Sequence, residues 1–223
     1  MALALIDKQD SFEIVRDQIA AILVNELANQ QALAVGAGKD PLDYTLSVYV
    51  ERNLPIEQWL NSGPVNDAST VPIASIWLES SNIDTSSTSN AKGEQHFELI
   101  YNIDVMARGV NSDDGAGGYN RADRDARIRC HAATRLVRNI LSAGPNRYLG
   151  LRGTVWAWPQ FENMELGPAP LDEIETNMSV WLCRCRVKVK VTETSPLEGE
   201  ETLELIRIDV SDDGGVVLST EIP

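Results

Sequence analysis

Two thiols one residue apart, Cys183 and Cys185, have the spacing that most invites chemistry. Such a pair can supply half of a zinc or redox site. On an extended segment both thiols point to one side, into a row with Trp181, Val187 and Val189. Zinc needs two further ligands, and Cys130, His96 and His131 each stand alone on other segments. The spacing therefore favours buried cysteines acting as small hydrophobes.

The histidines offer little more. His96 opens a strand on its polar side, and His131 falls mid-helix with Arg124, Arg135 and Arg138 along roughly the same side. No carboxylate stands in register to orient it, and no nucleophile–base pair is readable. The acidic run Asn111-Ser112-Asp113-Asp114-Gly115 lacks the alternating ligands and closing glutamate of a calcium loop. Gly115, Gly117 and Gly118 match neither a phosphate loop nor a dinucleotide fingerprint. The expectation is a protein that is not an enzyme, with no cofactor and no metal.

Charge is more informative. Arg121, Arg124, Arg127, Arg129, Arg135 and Arg138 outnumber Asp123 and Asp125 on one helix and spread around much of its circumference. Nucleic-acid binding, protein–protein pairing and a plain solvated face all remain open; the absence of interleaved aromatics weakens the first. Arg184, Arg186, Lys188 and Lys190 form a basic ladder on one strand face. Like charges two residues apart repel, so a negative surface is expected opposite them, with the acidic stretch 193–223 as the natural source. The candidate interface is thus Arg124, Arg135, Arg138, Arg184, Arg186, Lys188 and Lys190, with Asp113 and Asp114 on the loop.

The elements that position these residues follow from periodicity. Asp10 to Gln30 predicts a helix, with Glu13 completing a capping box and an apolar stripe from Phe12 to Leu27. Leu42 to Val50 and Pro72 to Leu78 predict strands, and Ser80 to Glu94 is the least structured part. From Gln95 to Val105 alternation, broken on the polar face only by Ile100, predicts a half-buried strand. A glycine-rich loop, Gly109 to Asn120, leads to the arginine-bearing helix that ends at Leu141. Gly153 to Trp158 is expected as a strand, Glu162 to Glu175 as a loop, and Met178 to Thr192 as the longest strand. Beyond it, nine acidic residues face one base, Arg207, and two short strands flank Asp212-Asp213-Gly214-Gly215. The fold class is α+β: a mainly antiparallel sheet with two principal helices on one face, plus a C-terminal β-hairpin or arm. Residues 1–192 form the domain and 193–223 the acidic arm.

A net charge of −14 disfavours general attraction to nucleic acid. Three cysteines make an odd count without framework spacing, which points to a reducing compartment. No window approaches the ~20 apolar residues of a membrane span, and Met1 to Ile6 is too short for a signal core. A soluble protein made in the cytoplasm is expected.

Taken in order, these segments resemble the tail terminator (tail completion) proteins of long-tailed bacteriophages. The likeness rests on the N-terminal helix and on His96-Phe97-Glu98-Leu99-Ile100-Tyr101-Asn102-Ile103-Asp104-Val105. It continues through the Gly/Asp loop, the helix end Arg135-Leu136-Val137-Arg138-Asn139-Ile140-Leu141, Asn146 to Gly153 and the Trp181–Val191 strand. It covers most of residues 10–192 and is a pattern of elements rather than a signature motif. The resemblance implies a virion structural protein that forms a ring, usually of six copies, at the head-proximal end of the tail tube. There it stops tube growth and joins the neck; it is made in the host bacterial cytoplasm and resides in the virion. Implied partners are other copies of itself, the tail tube protein and the neck or connector protein, with the tail sheath as a further candidate. DNA would pass through the ring without specific binding, and no membrane is involved. Another neck component, such as a head–tail connector or stopper, and a nucleic-acid-binding module are the competing readings.

Overall fold

The computed structural model describes residues 9–52, 71–84, 94–113, 119–169, 179–194, 206–210 and 216–220. The first helix, α1, runs Ser11–Gly36. Glu13 closes its N-terminus by accepting from the Asp10 backbone N–H at 3.3 Å. Its buried residues Val15, Ile19, Leu23 and Leu27 recur at helical spacing, and the face continues to Ala34. The helix therefore outlasts the predicted Gln30 boundary.

The strand expected over 42–50 divides in two. Asp40 accepts from the Leu42 N–H at 2.9 Å and Pro41 fixes the backbone, so Pro41–Tyr44 is a 3-10 turn. Only Ser47–Val50 is strand β1. β2 spans Ile73–Ile83 and β3 spans Glu94–Gly109. Ser80–Ile83, expected as unstructured, instead extends β2 by pairing with Phe97–Ile100. The rest of that polar tract, 85–93, lies outside the described residues.

Within the acidic loop, β4 (Ser112–Asp113) pairs with β5 (Tyr119–Asn120), and Asp114 lies outside the described residues. α2 follows at Ala122–Leu141. Gly153–Trp158 is not a full strand: turns surround Val155, which forms an isolated bridge to Val191. Conversely, the loop expected from Glu162 contains β6, Gln160–Pro168, along one edge of the sheet. Its polar residues and closing proline are tolerable because an edge strand needs only one bonded side. β7 is Ser179–Thr194, and β8 (Ile206–Val210) pairs with β9 (Val216–Thr220) as the antiparallel hairpin read from the sequence.

The main sheet has the order β1-β2-β3-β7-β6, antiparallel except for the β1–β2 pair. Both helices cover one face, giving the α+β arrangement expected. Val15, Ile19 and Leu23 from α1 and Cys130, Val137 and Leu141 from α2 meet Tyr101, Ile103, Val105, Cys185 and Val187 of the sheet. Tyr101 is fully buried, and its hydroxyl donates to the Phe12 carbonyl at 2.7 Å, tying α1 to the central strand. Burial pushes this phenol far above its usual pKa. Gly109 lets β3 pass against the first turn of α2, where any side chain would collide with backbone atoms of Ala122 and Ala126. Among the described residues no helix is long and apolar enough to cross a membrane.

Candidate functional site

Alternation along β3 and β7 turns one face toward the helices and leaves the other charged. On that outer face Asp104 and Arg184 are directly opposed. Arg184 donates from Nε and Nη2 to the two Asp104 oxygens at 2.6 and 3.0 Å. The Trp77 indole on β2 donates to the same carboxylate at 2.9 Å, and its ring centroid lies 5.1 Å from the guanidinium carbon. These groups line a cleft of ≈ 370 Å³ shared with Glu51, Arg52 and Ser75.

Further along, Arg186 grips Glu79, which also accepts from Asn102 at 2.9 Å. The hydrogen bond from Arg186 holds the Glu79 carboxyl below its usual pKa despite the opposing cost of burial. Lys190 reaches Asp84 at 2.8 Å and lies over the Trp156 ring. The basic ladder thus finds its countercharge inside the sheet, on β3, on β2 and on the residue just beyond β2. This corrects the expectation that the stretch 193–223 supplies it. Only Lys188 has no ion pair among the described residues, its cross-strand neighbours being Ile100 and Gln160.

The helical side differs. Arg129 folds back onto Asp125 at 2.9 Å, and Asp125 also accepts from the Val110 N–H at 3.0 Å, fixing the loop to α2. Arg127 pairs with Glu165 of β6 at 2.9 Å. Burial raises the Glu165 carboxyl, but the Arg127 hydrogen bond and charge outweigh it and leave a net lowering. His131 has Glu165 at 3.7 Å, so a carboxylate does face it, supplied by a strand the sequence does not reveal. His96 meets Thr192 Oγ1 at 3.0 Å and packs edge-on to Trp156.

Arg124, Arg135 and Arg138 remain exposed and have no ion pair among the described residues. They share one stripe with Ile128 and His131, the side of α2 opposite its buried face. The arginines that spread around the helix are therefore divided: those turned toward β6 and the loop are paired, and those on the outward stripe are not. Beside the stripe, a cleft of ≈ 540 Å³ separates α2 from Glu26 on α1 and Asp43 on the 3-10 turn.

The cysteines are all buried and free. The Cys130 thiol donates to the Val105 carbonyl at 3.2 Å, and the Cys183 sulfur lies close by. Interaction between the two sulfurs raises the Cys130 thiol and lowers the Cys183 thiol, while burial pushes Cys185 up to about 12. Among the described residues no three His, Cys, Asp or Glu side chains converge as a metal site. Arg108 is a feature the sequence pattern conceals. It is 8% exposed at the end of β3, and its Nε and Nη1 have no hydrogen-bond partner among the described residues. No family model matches this sequence, and no curated protein matches it.

Proposed function

We propose that this chain is a structural ring subunit of the tail-terminator kind, ending polymerisation of a phage tail tube at its head-proximal end and offering the neck a joining surface. The observation that carries this reading is one neutralised surface set against one unsatisfied surface. The outer sheet face balances most of its own charge, whereas α2 presents Arg124, Arg135 and Arg138 unpaired among the described residues. A closed ring uses heterologous contacts, in which one patch meets a different patch on the next subunit. An arginine row on a chain of net charge −14 supplies one patch and leaves ample acid elsewhere to complement it. The order of helix, strands, helix and long strand among the described residues is the pattern on which the resemblance rests. Under this reading the partners are further copies, the tail tube and the neck, with the sheath added in contractile tails. DNA passes through without specific binding.

The test is the solution mass by light scattering, with and without purified tail tubes. A discrete species near six times the 24.5 kDa subunit, or a subunit that caps tube ends, supports the reading. A strict monomer that ignores tube ends overturns it. A nucleic-acid-binding module is the second reading, favoured by the same three arginines. Its signature is DNA affinity that falls steeply with salt and is lost on their replacement.

A further inference from the structure

We propose that the outward arginine stripe of α2 is a docking site for the acidic C-terminal stretch, residues 193–223, of a second copy of this chain. The proposal rests on the ring reading and names the contact that closes it. Arg124, Ile128, His131, Arg135 and Arg138 follow one another at helical spacings of four and three, so a single extended segment can touch all five. Arg135 and Arg138 are near neighbours of like charge, and Arg124 sits by the positive end of the helix dipole. A carboxylate laid along the stripe offsets the position of Arg124 at the dipole's positive end and the repulsion between Arg135 and Arg138. Ile128, 54% exposed in the middle of the row, adds an apolar contact.

Charge singles out the occupant. The last 31 positions hold nine acidic residues and one arginine. Of the ladder on β7, Arg184, Arg186 and Lys190 are already neutralised by Asp104, Glu79 and Asp84. On the stripe, Arg124, Arg135 and Arg138 have no ion pair among the described residues, and His131 alone meets a carboxylate, Glu165. The stripe's flanks carry acid, with Glu165 by His131 on one side and Glu26 and Asp43 across the cleft on the other. They confine an acidic segment to the ridge itself.

The geometry of β7 lets a neighbouring subunit be reached. α2 packs on the sheet near Val105 and Cys185, whereas β7 leads away from it to Thr194. Those nine residues of extended chain cover about 30 Å. The acidic stretch therefore departs from the far end of the β3–β7 ribbon, where the next subunit can receive it.

Reciprocal charge reversal in the full-length chain tests the contact. One variant carries Arg135→Glu and Arg138→Glu; the other carries Glu200→Arg and Glu201→Arg. Arg135 and Arg138 are exposed on α2, and circular dichroism verifies the folding of every variant. Sedimentation velocity should show association weakened about tenfold or more in each variant alone, and restored when the two are mixed in equal amounts. In the mixture every acidic segment meets a basic stripe and every reversed segment meets a reversed stripe. Wild-type association by both variants separately overturns the docking site while leaving the ring reading intact. Loss in both without rescue on mixing overturns docking between copies. A wild type that remains monomeric at low salt and high concentration overturns it too, and the ring reading is then decided separately by tube capping. Loss of DNA binding in the helix variant, with association unchanged, would assign the stripe to nucleic acid instead.

Discussion

Asp104 and Arg184 stand directly opposite one another on β3 and β7 and close a two-point ion pair at 2.6 and 3.0 Å. Both side chains are largely withdrawn from solvent, at 19% and 23% exposure. Removing either partner strands the other charge beside Trp77. Asp104→Ala and Arg184→Ala should each lower stability by about 1–3 kcal/mol in urea titrations, and the double variant should cost less than the sum. Lys188→Ala, on the same ladder without an ion pair among the described residues, should fall within about 0.5 kcal/mol of wild type.

Acidification should weaken the outer sheet face. Glu79 is held below its usual pKa by Arg186, so the unfolded chain takes up a proton there before the folded one does. The stabilisation is present above the unfolded value, about 4.3, and is lost as pH falls through the depressed folded value. Thermal melts from pH 6 to pH 3 should show Tm declining across that acidic range. Glu79→Gln should be less stable near neutrality and show a shallower decline.

Tyr101→Phe removes the hydroxyl that reaches the Phe12 carbonyl while leaving the ring in the core. The loss should be about 0.5–1.5 kcal/mol. Hydrogen exchange should localise the effect to the first turns of α1, since that is where the bond fastens the helix.

Gly109→Ala should be more damaging than its size suggests. The added methyl would meet the Ala122 carbonyl and the Ala126 amide, both backbone and neither able to swing aside. Overpacking of this kind costs about 1–3 kcal/mol or more, because α2 must lift from β3. A lower Tm, with weakened protection of both elements in hydrogen exchange, is the expected result.

Arg108→Met should behave in the opposite sense. The guanidinium is buried with two nitrogens lacking partners among the described residues, and an apolar side chain of similar length avoids that desolvation cost. Equilibrium unfolding of the variant should match or exceed wild-type stability by about 1 kcal/mol. A clear loss would mean that Arg108 meets an anion in solution.

Long, regular elements were legible in the sequence because burial imposes a period on them. The stripe from Phe12 to Leu27, the alternation through Phe97–Val105 and that through Trp181–Val191 each announce both the element and its buried face. β6 was not legible. As an edge strand it has an irregular burial pattern, a register shift between Glu165 and Gly167, and a proline at its end. Losing β6 also hides the carboxylate beside His131 and the partner of Arg127, both supplied by Glu165. The ladder failed for a related reason. Its alternating bases are plain, but Asp104 and Glu79 become their neighbours only through pairings that bridge 80 and 107 positions of chain. The division of α2's arginines into paired and unpaired sets likewise depends on what packs beside the helix.

The place of β3 has a temporal consequence. One of its edges joins β2, made just before it, but the other waits for β7, whose Arg184 follows Asp104 by 80 positions. While the ribosome is still producing the intervening α2 and β6, a sixteen-residue strand carries an open edge and half a core. β7 must then enter between β3 and β6, and its pairing with β3 spans the longest separations in the sheet. A nascent chain stalled before Ser179 is therefore the form most exposed to aggregation and proteolysis, and growth rate or chaperone supply should govern yield more than the stability of the finished subunit.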